Sequence, residues 1–374
     1  MKIFHIADLH LGKRVNEYNM IEEQRYILNQ ILDRVAEEKP DALILAGDIY
    51  DRTIPATDAV ELLNYFLKEL NKHDMFIYII SGNHDSKERL SFASDILRSS
   101  NIFIEGNFKT ELFKHSLSDE IDVYLLPFTK PLDTRSYYEE HADSYQKAFE
   151  LILGNTNVDK SKFNIILSHQ FITHNNTEPE LSESEVVSVG GLDNIDTSVF
   201  KDFDYVALGH IHKPQSIGHD HIRYSGSILK YSLSEVNGNK SITVLDIDNK
   251  DLTISKIVLK PQKEMRHIEG YLDDILKDNT ETTEDFIYVT LKDEDEIYDA
   301  IGKLRSKFPN LLNIQFENQR LEHHNTEILS YEKLNESSPL DLFKEFFFRQ
   351  NNTELSESQI DFVSKIMEDL DETN

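Results

Sequence analysis

Gly82-Asn83-His84-Asp85, just after the apolar run Met75-Phe76-Ile77-Tyr78-Ile79-Ile80, decides how the rest of the chain is read. The run is short and rich in isoleucine, which predicts a buried strand. A Gly and then Asn-His-Asp at the carboxyl end of a strand is where open α/β sheets keep their chemistry. Asn offers a neutral oxygen to a metal, His offers a nitrogen or a proton, and Asp can orient the His. These are also ordinary turn residues. One occurrence decides nothing.

The same design recurs four times. Lys2 to Ile6 leads into Ala7-Asp8-Leu9-His10, and Ala42 to Ala46 leads into Gly47-Asp48. Phe163 to Leu167 ends in Ser168-His169, and Tyr205 to Leu208 ends in Gly209-His210-Ile211-His212. Five strand-like runs each deliver Asp, Asn or His at one end, in a chain without a single Cys. Carboxylate, amide and imidazole ligands without thiolates suit Mn²⁺, Fe or Zn²⁺.

At 374 residues the chain can bury a sizeable core and divide into two or three domains. No apolar run approaches the ~18 residues of a membrane span, and Met1 leads straight into a strand, not into a signal peptide. The lack of Cys excludes disulfides and cysteine nucleophiles and suits a reducing cytoplasm. The expectation is a cytoplasmic protein with no membrane contact. A net charge of −29 counts against nucleic-acid binding, which normally requires Lys and Arg. The acids are uneven, however. Asp341, Glu345, Glu354, Glu357, Asp361, Glu368, Asp369, Asp371 and Glu372 crowd the last stretch of chain, and bound divalent ions would reverse the local field at a metal site.

Residues 1–260 alternate strand and helix patterns. Ile27, Leu28, Ile31, Leu32 and Val35 have helical spacing, and Pro40 stops that helix. Val60, Leu63, Phe66 and Leu70 form a second helical stripe before the strand that precedes Asn83. A helical stretch is expected near Glu88 to Ser99, and Ala148, Leu151 and Ile152 begin another pattern before His169. Residues 173–197 read as a long, acidic surface loop, and loops of that length are usually functional. Hairpin-like strands follow His212, until Lys260-Pro261-Gln262 breaks the pattern and marks a domain boundary. Residues 261–330 carry a small α+β pattern.

Residues 331–374 form a helical tail. Ser338-Pro339-Leu340-Asp341 is a helix start. Phe343, Phe346 and Phe347 then share a face, and Ser356-Glu357-Ser358-Gln359 opens a second amphipathic helix. So short a segment cannot bury three Phe alone, so it packs on the domain before it or docks on a partner.

Two divalent ions held ~3.5–4 Å apart need a bridging carboxylate, and Asp48, at the end of an internal strand, is the natural bridge. Asp8, His10 and one C-terminal His would complete the first ion, and Asn83, His169 and another His the second. Such a pair clamps a phosphate and stabilises in-line displacement. His84 is then free to protonate the leaving oxygen or to stabilise developing charge, with Asp85 orienting it. Strand-end aspartates are commonly helix N-caps and single histidines are commonly structural. His115, His141, His174, His219, His221, His267, His323 and His324 lack the strand-end setting and are read as surface residues. Capping and turn chemistry do not account for all five blocks together.

In that order the blocks resemble the calcineurin-like metallophosphoesterase superfamily. Within it, Ala7-Asp8-Leu9-His10-Leu11-Gly12, Ala207-Leu208-Gly209-His210-Ile211-His212 and Tyr224-Ser225-Gly226-Ser227 resemble the SbcD nuclease subunits of bacterial SbcCD complexes. The Pro-Leu-x-Leu-Phe tail adds to this likeness, which spans essentially the whole chain and is looser beyond residue 260. The resemblance implies a four-layer α/β/β/α sandwich with a small α+β capping domain and a C-terminal helical tail. It implies two Mn²⁺ ions, the first on Asp8, His10, Asp48 and His212, the second on Asp48, Asn83, His169 and His210. It further implies exonuclease and endonuclease action on DNA ends and hairpins, with His84 serving the leaving group. The implied partners are an SbcC-type coiled-coil ATPase held by the tail and a second copy of the chain, in a heterotetramer. Some relatives carry an extra His shortly after the bridging Asp, where this chain has Asp51-Arg52. Two other readings stand beside this one: a metallophosphoesterase acting on nucleotides or phosphoproteins, and a non-catalytic scaffold with an acidic surface.

Overall fold

The computed structural model describes residues 1–185, 193–277, 283–293 and 297–317, together with Lys344, Ser356, Gln359, Ile360 and Val363. Phe343, Phe346 and Phe347 lie outside the described residues. Compact units are drawn from two sets of segments. The first takes Met1–Ile268, Asp278–Val289 and Ile301–Ile314, and the second takes Glu269–Lys277, Thr290–Ala300 and Gln315–Asn374. Among the described residues no helix is long and apolar enough to cross a membrane.

The strands of the two large sheets of the first unit are, in chain order, β1 (Lys2–Ile6), β2 (Ala42–Ala46), β3 (Phe76–Ile80), β4 (Ile102–Glu105), β5 (Phe113–Ser116) and β6 (Ile121–Leu126). They continue with β7 (Phe163–His169), β8 (Tyr205–Gly209), β9 (Gln215–Ile217), β10 (His219–Tyr224), β11 (Lys240–Asp248) and β12 (Asp251–Leu259). Its main helices are α1 (Ile21–Glu38), α2 (Thr57–Leu70) and α3 (Tyr145–Gly154). One six-stranded sheet runs β12-β11-β1-β2-β3-β4 and the other β9-β10-β8-β7-β6-β5. β1 to β4 are mutually parallel, as are β6, β7, β8 and β10. Apart from β10, which begins with polar, exposed residues, their near-continuous apolar sequences follow from burial on both faces.

Three apolar layers hold the four-layer sandwich together. Alternation along β1 sends Ile3 and Ala7 between the sheets, where they meet Ile44, Tyr78, Ile165 and Tyr205. Phe4 and Ile6 point the other way, toward Ile27, Ile31 and Val35 of α1 and Leu62 and Phe66 of α2. Behind the second sheet, Phe149 and Ile152 of α3 pack on Ile166, Val206 and Leu208. The helix α1 ends as its sequence predicts. Lys39 turns left-handed at φ 48°, its N–H closes on the Val35 carbonyl at 2.9 Å, and Pro40 follows. The expected helix near Glu88 to Ser99 is instead a series of short turns, Lys87–Leu90, Ser94–Leu97 and Arg98–Ser100. Strand β5 has no counterpart in the sequence reading.

His115, expected at the surface, is half-buried on β5. It hydrogen-bonds the Tyr78 hydroxyl at 2.7 Å and packs on the Phe103 ring, 4.2 Å between centroids.

His5 sits between the sheets, with Nδ1 2.9 Å from the Tyr205 hydroxyl. Burial, reinforced by the charge of Arg223, pushes its imidazole down to about 3. The unfolded chain takes up a proton at this residue near pH 6.5, and the folded chain does not. The lowered value therefore makes stability fall as pH drops from about 6.5 toward 3. We expect His5→Gln to lose about 2 kcal/mol less stability than the wild type between pH 7 and pH 5. Urea midpoints at the two pH values measure the difference, and equal acid losses would refute it.

Candidate metal centre

All five ligand-bearing blocks follow parallel strands, so their carboxyl ends point one way and meet at one edge of the sandwich. Asp8 and His10 follow β1, Asp48 follows β2, and Asn83 and His84 follow β3. These three strands are adjacent in the first sheet. His169 closes β7, and His210 and His212 follow β8, its neighbour in the second sheet. The two sheets touch here. His169 Nδ1–H donates to the Ala46 carbonyl at 2.8 Å, and a Cβ at Gly47 or Gly209 would run into the His169 ring. Those glycines are where the sheets approach too closely for a side chain.

The loops after β1 and β2 are laced together by Asp8 N–H to Gly47 O at 3.1 Å and His10 N–H to Asp48 O at 3.0 Å. Asp8, His10, Asp48 and His210 all hold positive φ, at 52°, 45°, 48° and 103°. Left-handed backbone at a residue other than Gly costs on the order of 1–3 kcal/mol and persists where surrounding structure enforces it. Four of the seven predicted ligands therefore sit on strained backbone.

The side chains converge on two foci. At one, His10 Nε2 and His212 Nε2 lie 3.0 Å apart, beside Asp8. At the other, Asn83 Oδ1 lies 3.1 Å from His169 Nε2 and 3.0 Å from His210 Nδ1. Asp48 stands between them, with Oδ2 3.6 Å from His10 Nε2 and 3.4 Å from His169 Nε2. Asp48 thus reaches both foci.

Protonation is strained as well. Burial, with the Asp48 charge, raises the Asp8 carboxyl well above its usual range. Burial also acts upward on Asp48, but His169, His10 and His84 outweigh it and hold that carboxyl well below its usual range. Burial acts downward on His169, but Asp48 and Asp8 carry it up to about 9. Burial pushes His210 down to about 3, with the charge of His169 adding to it. Asp8 Oδ2 is buried with no hydrogen-bond partner. An orphaned carboxylate oxygen among inward-facing imidazole nitrogens fits divalent cations, which supply the positive charge these lone pairs lack.

His84 is half-buried at the rim. Its backbone N–H donates to Asp48 Oδ1 at 2.9 Å, and Nδ1–H donates to the Asp51 carbonyl at 2.8 Å. Asp85 does not orient it. The Asp85 carboxylate accepts the backbone N–H groups of Ile49, Tyr50 and Gly82 at 2.9–3.0 Å. It ties the β2 loop to the β3 loop, and burial with the nearby Asp48 charge pushes it up to about 6. The orienting part belongs to the Asp51 backbone. The Asp51 side chain, in the Asp51-Arg52 segment that has no role in the sequence reading, pairs with Lys13 at 3.0 Å.

Comparison with known proteins agrees with this geometry. Residues 1–214 match the calcineurin-like phosphoesterase family. Residues 261–351 match a family described as the type 5 capsule protein repressor C-terminal domain. The SbcD nuclease of the Staphylococcus epidermidis SbcCD complex is 33% identical over 380 residues, covering 98% of each chain. The chain belongs to the SbcD family of calcineurin-like phosphoesterases. Among solved structures, a dimetal phosphatase from Danio rerio is 12% identical, with a TM-score of 0.42 over 70% of this chain and 99% of its own. An Escherichia coli phosphoesterase is also 12% identical, with a TM-score of 0.29 over 70% of this chain and 100% of its own. Membership of the SbcD family makes the chain a metal-dependent phosphodiester hydrolase.

Residues invisible to the strand-end reading complete the site's outer wall. Ser184 and Glu185, from the long loop, dock on His212, and Glu235 and Lys240 are buried behind it. No strand-end block announces them. The nearest signal is the Tyr224-Ser225-Gly226-Ser227 motif, whose Ser227 hydroxyl accepts from Lys240 at 2.7 Å.

Proposed function

We propose that this chain is the Mn²⁺-dependent nuclease component of an SbcCD-type complex. It would act as an exonuclease on double-strand ends and an endonuclease on hairpins, with an SbcC-type ATPase as partner. One observation carries the reading. Carboxylate, amide and imidazole groups, most of them buried, meet at one edge of a chain aligned end to end with an SbcD nuclease. Asp8, His10, Asp48 and His212 would hold one ion, and Asp48, Asn83, His169 and His210 the other. When bound, the ions supply Lewis acidity to phosphoryl oxygens and lower the pKa of water. Asp48 fixes the spacing of the two foci, Asn83 adds a neutral oxygen, and the glycines at 47 and 209 let the sheets close. His84, held at Nδ1 by the Asp51 carbonyl, presents Nε2 to exchange a proton with the leaving oxygen.

Nuclease assays on linear and hairpin duplexes, with Mn²⁺ and with or without the ATPase, test the proposal. Cleavage of both that is enhanced by the ATPase is expected. Hydrolysis of mononucleotides or phosphoproteins with no cleavage of either duplex would overturn it.

With a net charge of −29, the free chain is repelled by duplex DNA, so the ATPase would supply most of the electrostatic affinity. Phe343, Phe346 and Phe347 of the tail would anchor that partner, and a second copy of the chain would complete a heterotetramer. Buried aromatic anchors commonly contribute ~2 kcal/mol or more. Phe346→Ser should therefore weaken assembly about thirtyfold. A pull-down titration with the ATPase checks this, and unchanged affinity would return the tail to its own domain.

A further inference from the structure

His212 differs from His169 in how its far nitrogen is held. His169 Nδ1–H is fixed by a backbone carbonyl of the neighbouring sheet. His212 Nδ1 instead meets a side chain, Ser184 Oγ at 2.7 Å, on the loop that follows β7. The same hydroxyl lies 2.7 Å from Glu235 Oε1. Glu235 is buried, and its other oxygen pairs with buried Lys240. Lys240, Ser227 and the Ser232 hydroxyl complete the network, and Lys240 also donates to the His212 carbonyl at 2.8 Å.

These contacts settle the tautomer. Glu235 Oε2 lies 2.5 Å from Lys240 Nζ, and Oε1 also receives the Ser232 hydroxyl at 2.8 Å and the Tyr231 N–H at 3.2 Å, so the group is a carboxylate surrounded by donors. The carboxylate can therefore only accept. Ser184 has one hydroxyl proton, and a short contact to an acceptor-only carboxylate requires that it be given there. The hydroxyl must then accept from His212, which places the ring proton on Nδ1 and leaves Nε2 bare. Nε2 is the atom that faces His10 Nε2 and Asp8. The neighbouring Glu185 carboxylate accepts the His212 backbone N–H, so consecutive loop residues grip both the ring and the main chain of one ligand.

We propose that Ser184, backed by Glu235, is a positioning residue that makes docking of the loop after β7 a determinant of affinity at the His10–His212 half of the metal centre. The inference rests on the reading that His212 is a ligand. Such outer partners of ligating histidines typically change metal affinity about 10–100-fold. Ser184 is only half-buried, so its replacement does not disturb the core.

The experiment is a Mn²⁺ titration of the metal-free full chain by calorimetry, with ion counts on the same samples. In Ser184→Ala, one of two sites should weaken about 10–100-fold while the other keeps wild-type affinity and the melting temperature of the metal-free chain is unchanged. Ser184→Thr, which retains the hydroxyl, should restore the lost affinity. Two wild-type affinities in Ser184→Ala would overturn the relay, as would failure of Thr to restore what Ala loses. His212→Ala separates the layers. Loss of one ion in that variant with no effect of Ser184→Ala removes the relay alone, and retention of both ions removes the ligand reading beneath it.

Discussion

Asp48→Asn should leave a folded protein that holds fewer than one Mn²⁺ per chain and hydrolyses phosphodiesters roughly 10⁴-fold more slowly. The substitution is nearly isosteric, so the His84 N–H bond to Oδ1, at 2.9 Å, can survive. What disappears is the negative oxygen that lies 3.6 Å from His10 Nε2 and 3.4 Å from His169 Nε2. Both foci depend on that one charge. A metal clamp contributes several kcal/mol of transition-state stabilisation, and each ~1.36 kcal/mol is tenfold in rate. Asp8→Asn is the control, because the two-ion reading gives Asp8 to the His10–His212 ion alone even though it also lies near His169, so that variant should lose one ion and keep the other. Metal counting and hydrolysis of a small phosphodiester on both variants decide the matter. Two bound ions and full activity in Asp48→Asn would end the bridged two-ion account.

The parts of this molecule that are legible in its sequence share one physical origin. Parallel strands buried on both faces read as unbroken aliphatic runs, and each run stops where the sandwich ends. Asp8, Asp48, Asn83, His169 and His210 can therefore be placed at a common edge with no knowledge of which strands are neighbours. Periodicity finds α1 and α2 for the same reason, since a single apolar stripe faces the sheet. Strand β5 escapes because its pattern, Phe113-Lys114-His115-Ser116, is an edge strand with only alternate residues covered. The partner of His84 escapes because adjacency in sequence favours Asp85, whereas the loops bring the Asp51 carbonyl nearer in space. Ser184 and Glu235 are separated by 51 residues and by a change of sheet, and neither lies at the end of a strand. Nothing local marks such a pair. The left-handed backbone at Asp8, His10, Asp48 and His210 shows how tightly these residues are constrained, and their types, which tolerate that conformation better than most, permit it without dictating it.

His84→Ala should cut hydrolysis of DNA by roughly 10²–10⁴-fold while two ions stay bound. The half-buried ring lies edge-on to His10, with centroids 4.8 Å apart, close enough to the foci that it could be mistaken for a ligand. Its Nδ1–H is committed to the Asp51 carbonyl, leaving Nε2 as the one position where it can exchange a proton. The chemistry of the leaving group separates the two roles. A deoxyribose alkoxide departs poorly without a proton, whereas p-nitrophenolate is a stable anion and needs none. Proton donation therefore matters for the first substrate and hardly at all for the second. The variant should keep bis-p-nitrophenyl phosphate hydrolysis within about tenfold of wild type while DNA cleavage collapses. Equal losses on both substrates, with one ion missing from the protein, would make His84 a metal ligand. Equal losses with both ions present would assign it to stabilising charge on the phosphoryl group, and the general-acid role would have to be given up.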